Sequence, residues 1–269
     1  MSTIAAYGHA GLAVLERDLR VFMTYRSRVV GQLMRILLTI TLFYYVSRLV
    51  SVERFPTPDD YFAFAVVGIV ILRSLLSSYG SFGTTLRQEL VAGTFERMAT
   101  SPLGGTAGTV AMTLFPFALS LFTGALTIAL AALLFGVPLA WSTLPLAPPL
   151  AILTALAFAP FALLLGAMAI AFKQTAGAGF FIVLITFVSG AVFPVELLPG
   201  WIAWAADVQP FTPAVDILRH VIVGTPLEEE AGAALLKIVA FVVVLLPLSI
   251  LAIRRAIEYG RRRATLIEY

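Results

Sequence analysis

The chain has 269 residues, 60% of them apolar and 12% charged, with a mean hydropathy of +0.97 and a formal net charge of +3. Water-soluble domains run at about 45–50% apolar and about 25% charged, so too few charges are present to cover a soluble body of this size, and a soluble enzyme is excluded first. The lack of cysteine also removes disulfides, thiolate nucleophiles, Cys-ligated zinc and iron–sulfur clusters.

In chain order, residues 1–28 carry Leu12, Leu15, Leu19, Phe22 and Met23 at helical spacing, with Arg17 and Arg20 off that stripe. The pattern predicts an amphipathic helix in the cytoplasmic membrane interface, or a simple anchor. Glu16, Arg17, Asp18 and Arg20 interrupt it too strongly for a secretory signal. Crossing about 30 Å of hydrocarbon takes about 20 apolar residues. Runs of that kind occupy 29–50, 61–81, 106–137, 146–172, 176–193 and 233–253, giving an all-α membrane protein with six predicted spans. The third run is too long for one straight crossing, which predicts tilt, an interfacial start or a break at Pro116. Residues 197–206, fenced by Pro194, Pro199 and Pro210, are too short to cross and read as a re-entrant or interfacial piece, with 214–223 as a second short helix. The chain thus divides into an interfacial helix (1–28), a six-span domain (29–253) and a basic tail (254–269), whose Arg261, Arg262 and Arg263 either touch anionic lipid or set orientation.

Charge decides which side each loop faces. With six spans, Arg17, Arg20, Arg26, Arg28, Arg87, Arg97, Lys173, Arg254, Arg255, Arg261, Arg262 and Arg263 share one side with both termini. The opposite side collects Glu53, Asp59, Asp60, Glu196, Asp207, Asp216 and the run Glu228 to Glu230, read as a solvated acidic stretch. The positive-inside rule then makes both termini cytoplasmic. No span holds an Asp or Glu away from its ends, and none holds a His, so the relays that proton-coupled carriers require are missing. No G-x-x-x-x-G-K-[ST] phosphate loop is present either. The simpler inference is that energy for active transport comes from another subunit, with sodium coupling through backbone carbonyls at broken helices as the alternative; the competing class is an ATP-independent carrier or channel. No nucleic-acid partner and no metal site are expected, and membrane lipid is the obligatory neighbour.

Arg35 and Arg73 fall inside spans, where a lipid-facing guanidinium costs about 2.5–3.5 kcal/mol. Either they snorkel to the headgroups or they line the substrate pathway, with Arg73 facing a hydrated cavity or an anionic head. Between spans two and three, residues 84–104 read as a cytoplasmic helix opened by a Thr85–Gln88 capping box and ended by Ser101-Pro102. At 100° per residue, Glu89, Gly93 and Glu96 share one face with Arg97 at its edge, opposite Val91, Phe95 and Met98. Gly93 inside such a helix suggests a notch for another backbone; the alternative is a solvated helix resting on the membrane.

Three motifs then point one way. Glu89-x-x-x-Gly93-Thr94-x-Glu96 followed by Ser101-Pro102 resembles the coupling-helix region of type-2 ATP-binding-cassette (ABC) transporter permeases, the exporter family. Ser189-Gly190-Ala191-Val192-Phe193-Pro194 with Leu198-Pro199-Gly200-Trp201 is similar to that family's segment at the outer end of the fifth span. Pro210-Phe211-Thr212-Pro213, with Asp216 and Arg219 beyond, resembles its Asn-Pro-Leu-Thr and Asp-x-x-Arg signature, although Gln209 stands where asparagine is more usual. The resemblance covers nearly the whole chain. It implies a permease subunit without an ATPase site of its own, in a prokaryotic plasma (inner) membrane, paired with a second copy or a related permease. A cytoplasmic ATPase carrying ATP and Mg would dock at Glu89, Gly93, Thr94, Glu96 and Arg97. Phe193, Pro194, Trp201, Pro210, Asp216 and Arg219 would form an outer gate. The apolar spans favour an amphipathic, lipid-like or drug-like substrate, with a glycoconjugate as a further class.

Overall fold

The computed structural model describes residues 3–50, 55–100, 104–172, 187–191 and 195–262, and these residues are almost entirely helical. Helix α1 (Thr3–Thr24) ends at Tyr25, where the backbone leaves helical geometry, and α2 (Arg26–Leu49) begins at once. A salt bridge of 2.6 Å from Arg48 to Asp59 ties the end of α2 to the start of the next helix. That helix, α3 (Pro58–Val91), opens with Thr57 accepting from the Asp60 backbone and the Asp60 carboxylate accepting from the Thr57 backbone, with Pro58 in the first turn. Both devices satisfy or remove orphan N–H groups.

The expected start of a separate cytoplasmic helix at Thr85 and Gln88 is overturned. Both residues lie inside α3, which runs unbroken out of the membrane span. The intervening hydroxyls bond back to the preceding turn, Thr84 to the Gly80 carbonyl at 2.9 Å for example, so nothing there competes with the helix. The helix stops at Ala92 and Gly93 instead. Gly93 has φ +68°, a left-handed conformation that glycine adopts without penalty. It is therefore a turn and not a notch in a continuous helix, and a short α4 (Thr94–Thr100) starts beyond it.

The long third run is divided as the proline requires. Helix α5 (Gly104–Ala111) ends, Met112 and Thr113 form a turn, and α6 (Leu114–Phe135) begins with Pro116 in its first turn. A proline cannot donate to, and clashes with, the carbonyl four residues back, here that of Met112. Helix α6 closes on Gly136, with φ +72°. The loop after it is stitched to the opposite segment: the Ala140 amide donates to the Ile222 carbonyl at 2.8 Å and the Thr143 hydroxyl to that of Val221 at 2.9 Å. Then follow α7 (Ala147–Phe172), α8 (Gly200–Val208), α9 (Phe211–Val223) and α10 (Ala231–Arg262).

Helix α3 is the central post, largely buried, while α2 and α10 bury few of their residues. Toward its N-terminus, Val67, Ile71 and Leu75 pack with Phe158 of α7, Leu218 of α9 and Ile238 of α10. Toward its C-terminus, Phe82, Leu86 and Leu90 pack with Phe95 of α4, Leu163 of α7 and Ile253 of α10. A third cluster joins Ile36 and Ile40 of α2 to Phe62 and Val66 of α3 and Ala131 of α6. Helix α1 packs on α5 and α6, with Phe22 and Phe115 rings 6.0 Å apart. The end of the bundle that carries α4 thus also carries α1 and the C-terminal part of α10. Helices α8 and α9 lie at the other end.

Among the described residues, five helical stretches are long and apolar enough to cross a membrane: Arg26–Leu49, Pro58–Val91, Gly104–Phe135, Leu144–Phe172 and Ala231–Arg262. The sixth predicted span, 176–193, falls mainly outside the described residues. Ile170 packs beside Phe95 and Ile253, whereas Ala191 packs beside Leu218 at the opposite end.

Candidate functional site

Three groups of polar residues stand out against this apolar bundle. At the α4 end, α3 and α4 meet in an elbow. The Thr94 hydroxyl donates to the Glu89 carboxylate and, at 3.3 Å, to the Glu89 carbonyl, fastening the first residue of α4 to the last full turn of α3. Phe95 is 1% exposed and anchors α4 in the core, while Glu96, Arg97, Ala92 and Gly93 face outward. Val91, expected on the buried face, is 60% exposed. The 100° wheel fails there because the helix is broken, so residues on either side of Gly93 do not share one face by periodicity. The elbow presents an exposed apolar and small-residue knuckle, Val91 to Gly93, next to two opposite charges.

Midway along α3, the two arginines predicted to lie within spans line one cleft. A cleft of about 60 Å³ between α2, α3 and α6 is lined by Gln32, Arg35, Thr39, Arg73, Ser74 and Ser77, among others. Arg73 Nη1 donates to the Thr39 hydroxyl, which in turn donates to the Arg35 carbonyl at 2.8 Å. On the far side of the α3–α6 contact lies an apolar cavity of about 460 Å³, walled by residues such as Val70, Leu75, Ile128, Ala151 and Leu218. Reading the chain alone found the arginines but not Thr39, Ser74 or Ser77. For Thr39 and Ser77 the signal was present, since each lies four residues from an in-span arginine and shares its helix face; Ser74, next to Arg73 in sequence, carried no such signal.

At the α9 end, Arg219 is 4% exposed and its guanidinium is a clasp. Its Nε donates to the Phe64 carbonyl at 3.0 Å, Nη1 to that of Gly190 at 2.9 Å and Nη2 to that of Ala191 at 2.6 Å. The guanidinium also lies over the Phe64 ring, 3.5 Å from its centroid. Gly68 makes room: a Cβ there would sit 2.0 Å from Arg219 Nη2 and 2.1 Å from the Ala191 carbonyl oxygen. Gln209 Nε2 donates to the Val188 carbonyl at 3.1 Å and to Thr212 Oγ1 at 2.8 Å, joining the turn before α9 to the same 187–191 segment. The longer amide of Gln209 therefore makes a fixed turn where asparagine was expected.

Asp216 accepts the Glu228 amide at 3.0 Å, and Lys237 pairs with Glu229 at 2.5 Å. The run Glu228 to Glu230 is accordingly part of the junction between α9 and α10 rather than a merely solvated stretch. Trp201 is 75% exposed on α8, and Pro210 is buried at the start of α9. Phe193 and Pro194 lie outside the described residues.

The elbow, the clasp and the turn that Gln209 fixes all lie within one long match. A family model described as ABC-2 type transporter matches residues 12–223. The chain belongs to the ABC-2 type transporter family. Among known proteins, Nodulation protein J of Rhizobium meliloti (strain 1021) is 37% identical over 92 residues, 32% of this chain. The match spans 34% of that relative's length.

Proposed function

We propose that this ABC-2 chain is the permease subunit of an ATP-driven exporter in a prokaryotic inner membrane, with six spans and both termini cytoplasmic. It pairs with a second permease, either another copy or a related chain, and each permease docks a cytoplasmic ATPase that binds ATP and Mg. The observation that carries this reading is the elbow. An exposed knuckle at Val91 to Gly93, with Glu96 and Arg97 beside it, projects from the end of the bundle that also holds α1 and the basic end of α10. Basic loops favour the cytoplasm. Because Phe95 is locked into the core with Leu86, Leu90 and Ile253, force applied to the knuckle passes into α3, α7 and α10 and is not lost in a loose loop. The exposed apolar face of α2, with Leu38, Leu42 and Tyr45, supports pairing along that helix. The junction at 195–230 supports an outer gate and a re-entrant pair formed by α8 and α9. The cargo is an amphipathic, lipid-like or drug-like molecule, glycoconjugates included.

The test is co-purification with the cognate ABC ATPase. Gly93→Trp and Glu96→Arg should each reduce the ATPase retained by about tenfold, equivalent to about 1.4 kcal/mol, while the permease stays folded. Transport of an amphiphile into liposomes by the purified chain with no nucleotide present would overturn the proposal in favour of a carrier.

A further inference from the structure

We propose that Arg35 and Arg73 form one oxyanion site that takes the phosphate or sulfate head of a membrane amphiphile. Neither arginine makes an ion pair among the described residues, whose ion pairs lie at the two ends of the bundle and in α1. Two guanidinia lining the same cleft repel each other and are each expensive at this depth. An anion held between them removes both costs. A second copy of this chain cannot supply that anion. No Asp or Glu occurs in 29–50, 61–81, 106–137, 146–172, 176–193 or 233–253, so a homodimer partner brings no carboxylate to this level. In a homodimer the neutralising charge therefore arrives with a ligand; a related partner chain with a carboxylate at this level is the alternative, and it would leave hexadecyl phosphate and the glucoside bound equally.

The charge of the lining chooses the class of ligand. The cleft is small, about 60 Å³, above the about 10–15 Å³ that a single water requires, and a compact tetrahedral oxyanion is a group of that scale. Donors are available: the two guanidinia present planar forks suited to phosphate or sulfate oxygens, and the side chains of Gln32 and Ser74, also in the lining, make no hydrogen bond within the described residues. The hydrogen bond from Arg73 Nη1 to Thr39 turns the guanidinium across toward α2 and Arg35. A residue that merely snorkels would extend along its own helix toward the surface. The Arg73 guanidinium is thus turned across the cleft that Arg35 also lines.

This inference names the cargo head of the exporter proposed above and rests on that reading for its role in transport, but binding itself needs neither ATPase nor nucleotide. The full-length chain is placed in phosphatidylcholine nanodiscs and titrated with hexadecyl phosphate and, as the uncharged control, hexadecyl glucoside. Hexadecyl phosphate should bind about tenfold or more tightly than the glucoside, and Arg35→Gln and Arg73→Gln should each weaken it by about tenfold without changing the glucoside. The Arg35→Lys and Arg73→Lys variants, which keep the charge, should retain part of the preference, as a misfolded chain would not.

Discs doped with phosphatidylglycerol separate two sources of the same chemistry. Displacement of hexadecyl phosphate marks a resident phospholipid as the ligand, and lack of displacement marks a single-chain cargo. Equal binding by wild type and both Gln variants, or equal binding of phosphate and glucoside, overturns the site. ATPase co-purification, measured on the same preparations, fails independently if the exporter reading is the one at fault.

Discussion

A buried arginine in an apolar bundle has to be answered atom by atom, and Arg219 is answered by backbone carbonyls. Two of them, Gly190 and Ala191, belong to the 187–191 segment, so the side chain adds two charge-assisted hydrogen bonds to the packing that already holds that segment against α9. Arg219→Ala should destabilise the protein by about 3 kcal/mol, seen as a lowered thermal unfolding midpoint in detergent, and Arg219→Lys should recover only part of the loss because an ammonium cannot present the planar fork. Gly68→Ala should cost about 1–3 kcal/mol by overpacking, since its methyl would meet Arg219 and a backbone oxygen. The importance of Arg219 was legible in the sequence through the Asp-x-x-Arg pattern. Its partner Phe64, 155 residues away, was not, because no local period encodes a contact between distant helices. Gly68 looked like any small residue in an apolar run.

At the scale of elements, the two breaks teach opposite lessons. Pro116 announced the α5–α6 turn because proline's effect is local and covalent. The elbow was placed in the right stretch but given the wrong shape: Thr85 and Gln88 satisfy a capping pattern that helix interiors also tolerate, whereas the stop depends on Gly93 taking a left-handed backbone. Gly93→Ala should therefore strain the elbow and cost about 1 kcal/mol, and it should lower ATPase retention in the co-purification assay. Gly80 and Gly83 are a contrast. Both are helical within α3, and a Cβ on either meets nothing within 4 Å. Gly80→Ala and Gly83→Ala should each raise the stability of the purified chain by about 1 kcal/mol, read as a higher midpoint in thermal unfolding. If the stretch from Ser77 to Gly83 bends during the transport cycle, the same substitutions will slow ATP-dependent flux.

For the whole molecule, charge asymmetry predicts that both termini share one side. The ends described at Thr3 and Arg262 belong to helices that pack at the α4 end. Assigning that end to the cytoplasm can be checked directly because the chain contains no cysteine. In intact cells a membrane-impermeant maleimide should label Asp207→Cys on α8 and spare Glu96→Cys on α4; inverted vesicles should reverse the result. What the charges could not reveal is how unequal the helices are. Helix α3, at about 51 Å, overhangs an about 30 Å hydrocarbon layer and has a tight contact with α6 where Ser74 Oγ lies 2.9 Å from the place a Cβ on Gly124 would occupy. Ser74 stands near the midpoint of Pro58–Val91. With a fulcrum there, α3 is a lever with arms of about 25 Å each. A few ångströms of push at the elbow would emerge as an equal swing, in the opposite direction, of the arm that holds Phe64 and Gly68.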